Sequence, residues 1–377
     1  MNLSDQPVTD IHCFAFGRTE FNRGSLAKLF MAGGPTVKSV RAETRAGDLG
    51  ASVGFRRFIK ELAGVLEVPG TEHEALAARE ERAGKFEEYT ELLFRDAKIE
   101  RIAVDNGLEP VPFEEFAKAV PAKASRIFRV ESLVKRLLDN AETFPRLLEM
   151  FTEEIEHSVS NGGYVGFKTV IAYRTGLDIG PPDERAARES FDSGREDRAW
   201  FGPKVKAVRD YLIHRTAEVA SKRGAFLEIH TGLGDTDIVA DRCNPLLLQR
   251  FLKDETVMKT PIVLIHGGFP YTKEAAWLCS MFPNLYFELS SPFPPTFLPA
   301  VSKARFGEIL EVVPTTRIVY GSDAIETPEF HWYSAKLAKR ALAASLGELV
   351  GEGIMTEEDA YEAADMVMNR NASGLLG

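Results

Sequence analysis

The sequence predicts an α/β protein built as a (β/α)8 TIM barrel, and three observations carry that prediction. Eight short β-branched or aromatic runs recur along the 377 residues, each followed by a stretch of helical periodicity. Several of these runs are almost continuously apolar, as parallel strands covered on both faces are. The first run is not followed by the GxGxxG turn expected of the competing doubly wound sheet.

The expected strands are Val8 to Phe14, Ile99 to Asp105, Ser125 to Glu131, Tyr164 to Val170, Ala225 to His230, Pro261 to His266, Leu285 to Leu289 and Arg317 to Tyr320. Between them, Asn244 to Asp254 opens with Asn at an N-cap and Pro at the first helical position, Lys204 to Lys222 stops before Gly224, and Pro328 to Leu349 is amphipathic. Two segments break the alternation. Phe55 to Leu66 and Glu72 to Phe94 read as helices within a helical insertion at about residues 17–98, expected over the barrel mouth in a single barrel domain of residues 1–377. Thr175 to Arg198, with its GPPDERAARES run, reads as a solvated loop, with a lid as the alternative.

Composition narrows the function classes. Apolar residues make up 44% and charged residues 27%, an ordinary globular balance that excludes disordered and fibrous chains. With 46 basic against 56 acidic side chains, the net charge of −10 argues against nucleic acid or anionic membrane as partners. No apolar run approaches about 18 residues and the opening MNLSDQPVTD lacks a leader pattern, so a cytoplasmic protein is expected, with homo-oligomerisation a base-rate expectation only. Cys13, Cys243 and Cys279 are too few and too scattered for a disulfide framework and read as small buried residues. Asn371-Ala372-Ser373 is read as the close of the last helix.

In such a barrel the chemistry lies at the C-terminal strand ends. There the sequence places His12, Asp105, Glu131, Lys168, His230, His266, Glu288 and Asp323, including three of only seven histidines. A single histidine ending an apolar strand is more often a hydrogen-bonded core residue than a ligand; the group as a whole points to a metal. Imidazoles with a carboxylate suit one divalent ion, Zn²⁺ first and Mn²⁺ or Fe²⁺ as alternatives. Asp105 is expected to initiate a turn and Glu288 to pair with a neighbouring base. His73, His157 and His214 are expected at the surface, and His331 is a weak candidate for the substrate pocket.

The residues also resemble a known family. GFKTVIAYRTGL at Gly166 to Leu177, IHTGLGD at Ile229 to Asp235, LIHGGFPYTKE at Leu264 to Glu274, FPNLYFE at Phe282 to Glu288 and YGSD at Tyr320 to Asp323 are similar to the amidohydrolase superfamily. The likeness is to its amidohydrolase-2 branch and the FluG-type and nodulin-like amidohydrolase domains. That resemblance implies a metal-bearing (β/α)8 barrel in which His12 matches the first histidine of an HxH motif, His230 and His266 the histidines of strands five and six, and Asp323 the aspartate of strand eight. Lys168 falls where binuclear relatives carry a carboxylated lysine. The chain departs from the pattern at Phe14, which stands where the second HxH histidine belongs, so one metal is expected rather than two, held either by His12, His230 and Asp323 with water or by a Lys168 carbamate with His230 and His266; without carboxylation the Lys168 ammonium would instead bind a substrate carboxylate.

The function expected is hydrolysis of a small carboxylate-bearing amide, lactam or lactone by metal-activated water. Asp323 would move the proton, His266 would stabilise the oxyanion or ligate, and Tyr173 and Arg174 would grip the substrate. A metal-dependent decarboxylase is the runner-up, and a non-catalytic barrel that has lost its metal at Phe14 is the third reading.

Overall fold

The computed structural model describes residues 1–18, 48–197, 202–235, 237–290 and 303–377. Eight parallel strands, β1 (Val8–Cys13), β2 (Ile99–Asp105), β3 (Lys123–Arg129), β4 (Tyr164–Thr169), β5 (Phe226–His230), β6 (Ile262–Ile265), β7 (Leu285–Glu288) and β8 (Ile318–Val319), pair in sequence order. Backbone bonds from Ile11 N to Tyr320 O (3.0 Å), Asp323 N to His12 O (2.9 Å) and Phe14 N to Ala324 O (2.9 Å) join the chain after β8 to β1 and round the sheet into a barrel. Every expected strand is present within two residues of its limits.

Inward-facing Ile11, Ala103, Ile127, Phe226 and Val319 form one cluster with Ala372 and Leu376 of the last helix, Asn371–Leu376. Ile102, Phe128, Leu227 and Leu264 face the other way, into the main core beneath the helices. This alternation sets Arg129, Glu228 and His230 on the inner side. Strand β1 departs from it. Asp10 pairs with Ile102 and Cys13 with Val104, three steps on β1 against two on β2, which is a β-bulge. Ile11 and His12 therefore both face inward, while Asp10 lies outside, 3.9 Å from His331.

Between β1 and β2 lie α1 (Val53–Leu66), α2 (Glu72–Ala83) and α3 (Phe86–Ala97); residues 19–47 of the expected insertion are outside the described residues. These helices pack on the helix after β8, Pro328–Gly351. Phe58 stacks edge-on with Tyr333, with ring centroids 5.3 Å apart, and Trp332 Nε1 donates to Asp96 at 2.6 Å. Glu329, wholly buried, accepts from Arg79 Nε at 2.6 Å and from Tyr89 OH at 2.9 Å.

Four expectations are corrected. Strand β3 ends at Arg129, so Glu131 lies in the first turn of the helix Val130–Asn140. The stretch expected as a loop contains the helix Glu184–Asp197, capped by Asp183 accepting from Ala186 N at 3.0 Å, with Ala187 and Phe191 buried. His214 is buried, its Nε2 2.9 Å from Gly180 O, whereas His73 and His157 are exposed as expected. Asn371 opens the last helix rather than closing it, donating to Thr315 O and Ile318 O, both at 2.8 Å. All three cysteines are free and buried. Among the described residues no helix is long and apolar enough to cross a membrane.

Arg79→Met would strand the Glu329 carboxylate in the core. It should cost about 3–5 kcal/mol in urea unfolding, and Arg79→Met/Glu329→Met should recover much of the loss; equal costs for the two variants would show that the pair itself is not what docks α2.

Candidate functional site

The strand ends converge on a buried polar cluster with His12 at its hub. His12 Nε2 lies 3.2 Å from Asp323 Oδ1 and 3.3 Å from Lys168 Nζ, and its Nδ1 faces Glu228 Oε2 at 2.9 Å. His230 Nδ1 and His266 Nε2 are 3.1 Å apart. His266 Nδ1 meets Ser290 Oγ at 2.8 Å, and Glu288 accepts from His266 N at 2.8 Å and from Ser290 Oγ at 2.7 Å.

Local backbone geometry explains these positions. The β1 bulge turns His12 inward. Register pairs Arg129 with Lys168 and Lys168 with Glu228, so three charged side chains form a row across β3, β4 and β5. His266 directly follows β6 and Asp323 lies in the segment after β8, with left-handed φ of 71° and 50°. Such angles are uncommon for non-glycine residues, and the strain they carry concentrates at functional sites. Gly321 makes room for Glu288, since a Cβ there would stand 2.4 Å from Oε1.

Burial dominates the electrostatics. It holds His12, His230 and His266 well below the usual imidazole range, helped by Lys168 at His12 and His230 and by His230 at His266. Burial also lowers the Lys168 ammonium, against the pull of Glu228. It raises Glu228 well above the carboxylate range and Asp323 to about 8, in both cases against Lys168. Three neutral imidazoles beside a carboxylate are a ligand set for a borderline divalent ion. Among the described residues no side chain meets buried His230 Nε2, which leaves that nitrogen available to an ion. His12 lies against Asp323 and His230 against His266, and a bound ion would draw its ligands from these two pairs, whereas the described residues whose ligand atoms already lie within 4.8 Å of one another are Asp10, Cys13 and His331.

A model of the amidohydrolase family matches residues 113–377. The chain belongs to the amidohydrolase family. The matched span includes Lys168, His230, His266 and Asp323 and begins after β1, so His12 and Phe14 precede it. Protein fluG of Emericella nidulans is 28% identical over 361 residues, which cover 86% of this chain and 41% of that protein; the match spans about two fifths of the relative's length. A Lactobacillus casei protein provisionally assigned as a metal-dependent hydrolase superposes with a TM-score of 0.84 at 25% identity, covering 99% of this chain and 96% of that one. The uronate isomerase of Thermotoga maritima shares the fold, with a TM-score of 0.72 at 16% identity over 99% of this chain and 95% of its own.

Other residues of this amidohydrolase fall in less expected places. Tyr173 packs on His230, with ring centroids 4.8 Å apart, and its hydroxyl accepts from Asp235 N at 3.2 Å. Arg174 instead lines a cleft of about 400 Å³ with Asp178, Lys206, Asp241 and Arg242. Asp105 does initiate a turn, accepting from Gly107 N at 2.8 Å, and it also pairs with Arg129. Glu131 accepts from Thr169 Oγ1 at 2.5 Å instead of facing the histidines. Glu228, Ser290 and Arg129 belong to the site and were not singled out from sequence. Glu228 had a usable signal, a lone charge two residues before His230 in the otherwise apolar strand FLEIH.

His331 lies on the outer side of β1, apart from the mouth histidines. It is wholly buried outside β1, against Phe16 and Phe94, and its ligand-capable nitrogens group with Asp10 and Cys13 within 4.8 Å. Burial pushes its pKa down to about 3 and raises that of Asp10 to about 7. The unfolded chain therefore binds a proton at His331 between about pH 3 and the ordinary 6.5 that the folded chain does not. Stability from this residue rises with pH across that window and is lost as pH falls through it. His331→Phe should flatten that rise by up to about 1.4 kcal/mol per pH unit in urea unfolding; parallel wild-type and variant curves would assign the slope to other groups.

Proposed function

We propose that this amidohydrolase is a metal-dependent hydrolase of a small carboxylate-bearing amide, lactam or lactone. The observation that carries the reading is the trio of buried, neutral imidazoles, His12, His230 and His266, set against Asp323 at the barrel mouth. Phe14 offers no donor, which supports a single ion, with Zn²⁺ the best match to nitrogen and oxygen ligands. Such an ion supplies Lewis acidity that acidifies water and polarises a carbonyl.

The chain's own groups supply the rest. Asp323, with its pKa raised to about 8, can take up a proton near neutrality and return it to a leaving nitrogen or oxygen. Burial keeps the Tyr173 phenol protonated, so its hydrogen remains available to a substrate oxygen while its own oxygen is held by Asp235 N. Ser290 and Glu288 fix the ring and the backbone of His266.

His230→Ala should lose bound metal, read by inductively coupled plasma mass spectrometry, while circular dichroism shows the fold intact. Unchanged metal content would remove His230 from the site. On a panel of N-acyl amino acids, lactams and lactones, Asp323→Asn should lower kcat by about 10²–10⁴-fold. Release of CO₂ instead of hydrolysis product would favour the decarboxylase reading.

A further inference from the structure

Arg129 ends β3 two positions beyond inward-facing Ile127 and shares a register row with Lys168. One edge of its guanidinium is clamped: Nε donates to Asp105 Oδ1 and Oδ2 at 3.0 and 2.9 Å, and Nη2 also donates to Oδ2. Asp105 is fully buried, and Arg129 N is itself held by Asn106 Oδ1 at 2.7 Å. Gly107 lets the chain wrap closely around the group, since a Cβ there would fall 2.7 Å from Arg129 Cζ. The Phe14 ring lies beneath, its centroid 5.8 Å from Cζ, and makes a T-shaped contact with the His12 ring, with centroids 5.6 Å apart. Among the described residues no acceptor meets Nη1, and the side chain keeps 15% of its surface exposed.

We propose that Arg129, clamped by Asp105 and seated on Phe14, is the subsite that binds a carboxylate of the substrate at the barrel mouth. The proposal rests on the hydrolase reading for what happens to the substrate, but not for the anion grip itself.

Three physical points favour a carboxylate. A guanidinium stays charged at any working pH, and its planar fork matches a carboxylate through charge-assisted bonds. The Asp105 clamp has already fixed the side chain, so little rotamer entropy is lost when a ligand binds. Phe14 denies the guanidinium a second protein anion and offers an apolar floor to the ligand's methylene stem.

The other cations at hand are worse placed. Lys168 is engaged 3.3 Å from His12 Nε2. Arg174 lines a cleft with Asp178 and Asp241 whose lining includes none of the mouth histidines. Arg129 also acts across the mouth. Its charge helps hold His12 and His230 in their neutral forms, so an anion docked on it lies within the field of the histidine cluster.

The test uses the metal-loaded protein with glutarate and its neutral diamide, glutaramide, as probes, measured by isothermal titration calorimetry, with metal content determined on the same samples. The wild type should bind glutarate about tenfold or more tighter than glutaramide. Arg129→Met/Asp105→Asn, which removes both buried charges together, should abolish that preference with metal content unchanged. Arg129→Lys, which keeps the pairing with Asp105 but not the fork, should weaken it. Arg174→Met should leave it intact. A wild type without the preference, or a metal-loaded double variant that retains it, overturns the proposal. A preference that depends on Arg129 in a protein that takes up no metal would sink the hydrolase reading and leave the carboxylate subsite standing.

Discussion

The barrel and its site depend on how β1 closes against the chain after β8, and the Asp10 carboxylate fixes that seam. It is buried and accepts from Ser322 N at 2.9 Å, Ser322 Oγ at 2.5 Å and His12 N at 3.2 Å. Burial raises it to about 7 and the Ser322 donors oppose that rise, so the seam is held by hydrogen bonds rather than by a free charge. The bulge at the same point makes the seam chemically productive. Without the extra residue, strict alternation after Ile11 would turn His12 away from the interior. Asp323 N bonds to His12 O, so the seam also sets the spacing of two groups in the ligand set.

Behind that seam, a low dielectric shifts the three histidines, Glu228 and Asp323 toward their uncharged forms. Imidazoles are pushed toward neutrality and carboxylates toward protonation, while Lys168 and Arg129 resist the second shift. The carboxylates are differently placed to use this. Glu288 spends its oxygens on His266 N and Ser290, whereas Asp323 keeps 17% of its side chain exposed and can exchange a proton with solvent or substrate. Position in the barrel, more than residue type, separates a positioning carboxylate from a reactive one.

The fold was legible because parallel buried strands need apolar, β-branched runs whatever their neighbours are. The limits blur where sequence carries no break: in RIFRVES, β3 passes into helix at Val130 with no turn residue, so the sequence alone extends the strand to Glu131 and does not mark Arg129 as its end. The helix Glu184–Asp197 was hidden by Pro181 and Pro182, which precede it and so do not interrupt it, and by a polar face whose Phe191 anchor is visible only against α-helical neighbours. The histidines of the site could be found because polar residues at strand ends are rare. His331 and His214 could not be placed, because helical context does not say which face tertiary packing will cover.

Phe14 and Arg129 are best understood together. Phenylalanine at Phe14 stands where an imidazole would be a ligand and leaves an apolar surface beside His12, so a second dication there would have fewer donors. An anion can take the place a second ion would have held, and among the described cations of the mouth Arg129 combines a fixed orientation with a nitrogen that no acceptor meets. On this argument the loss of the second histidine redirects the mouth from binding a second ion to binding the charged end of a substrate.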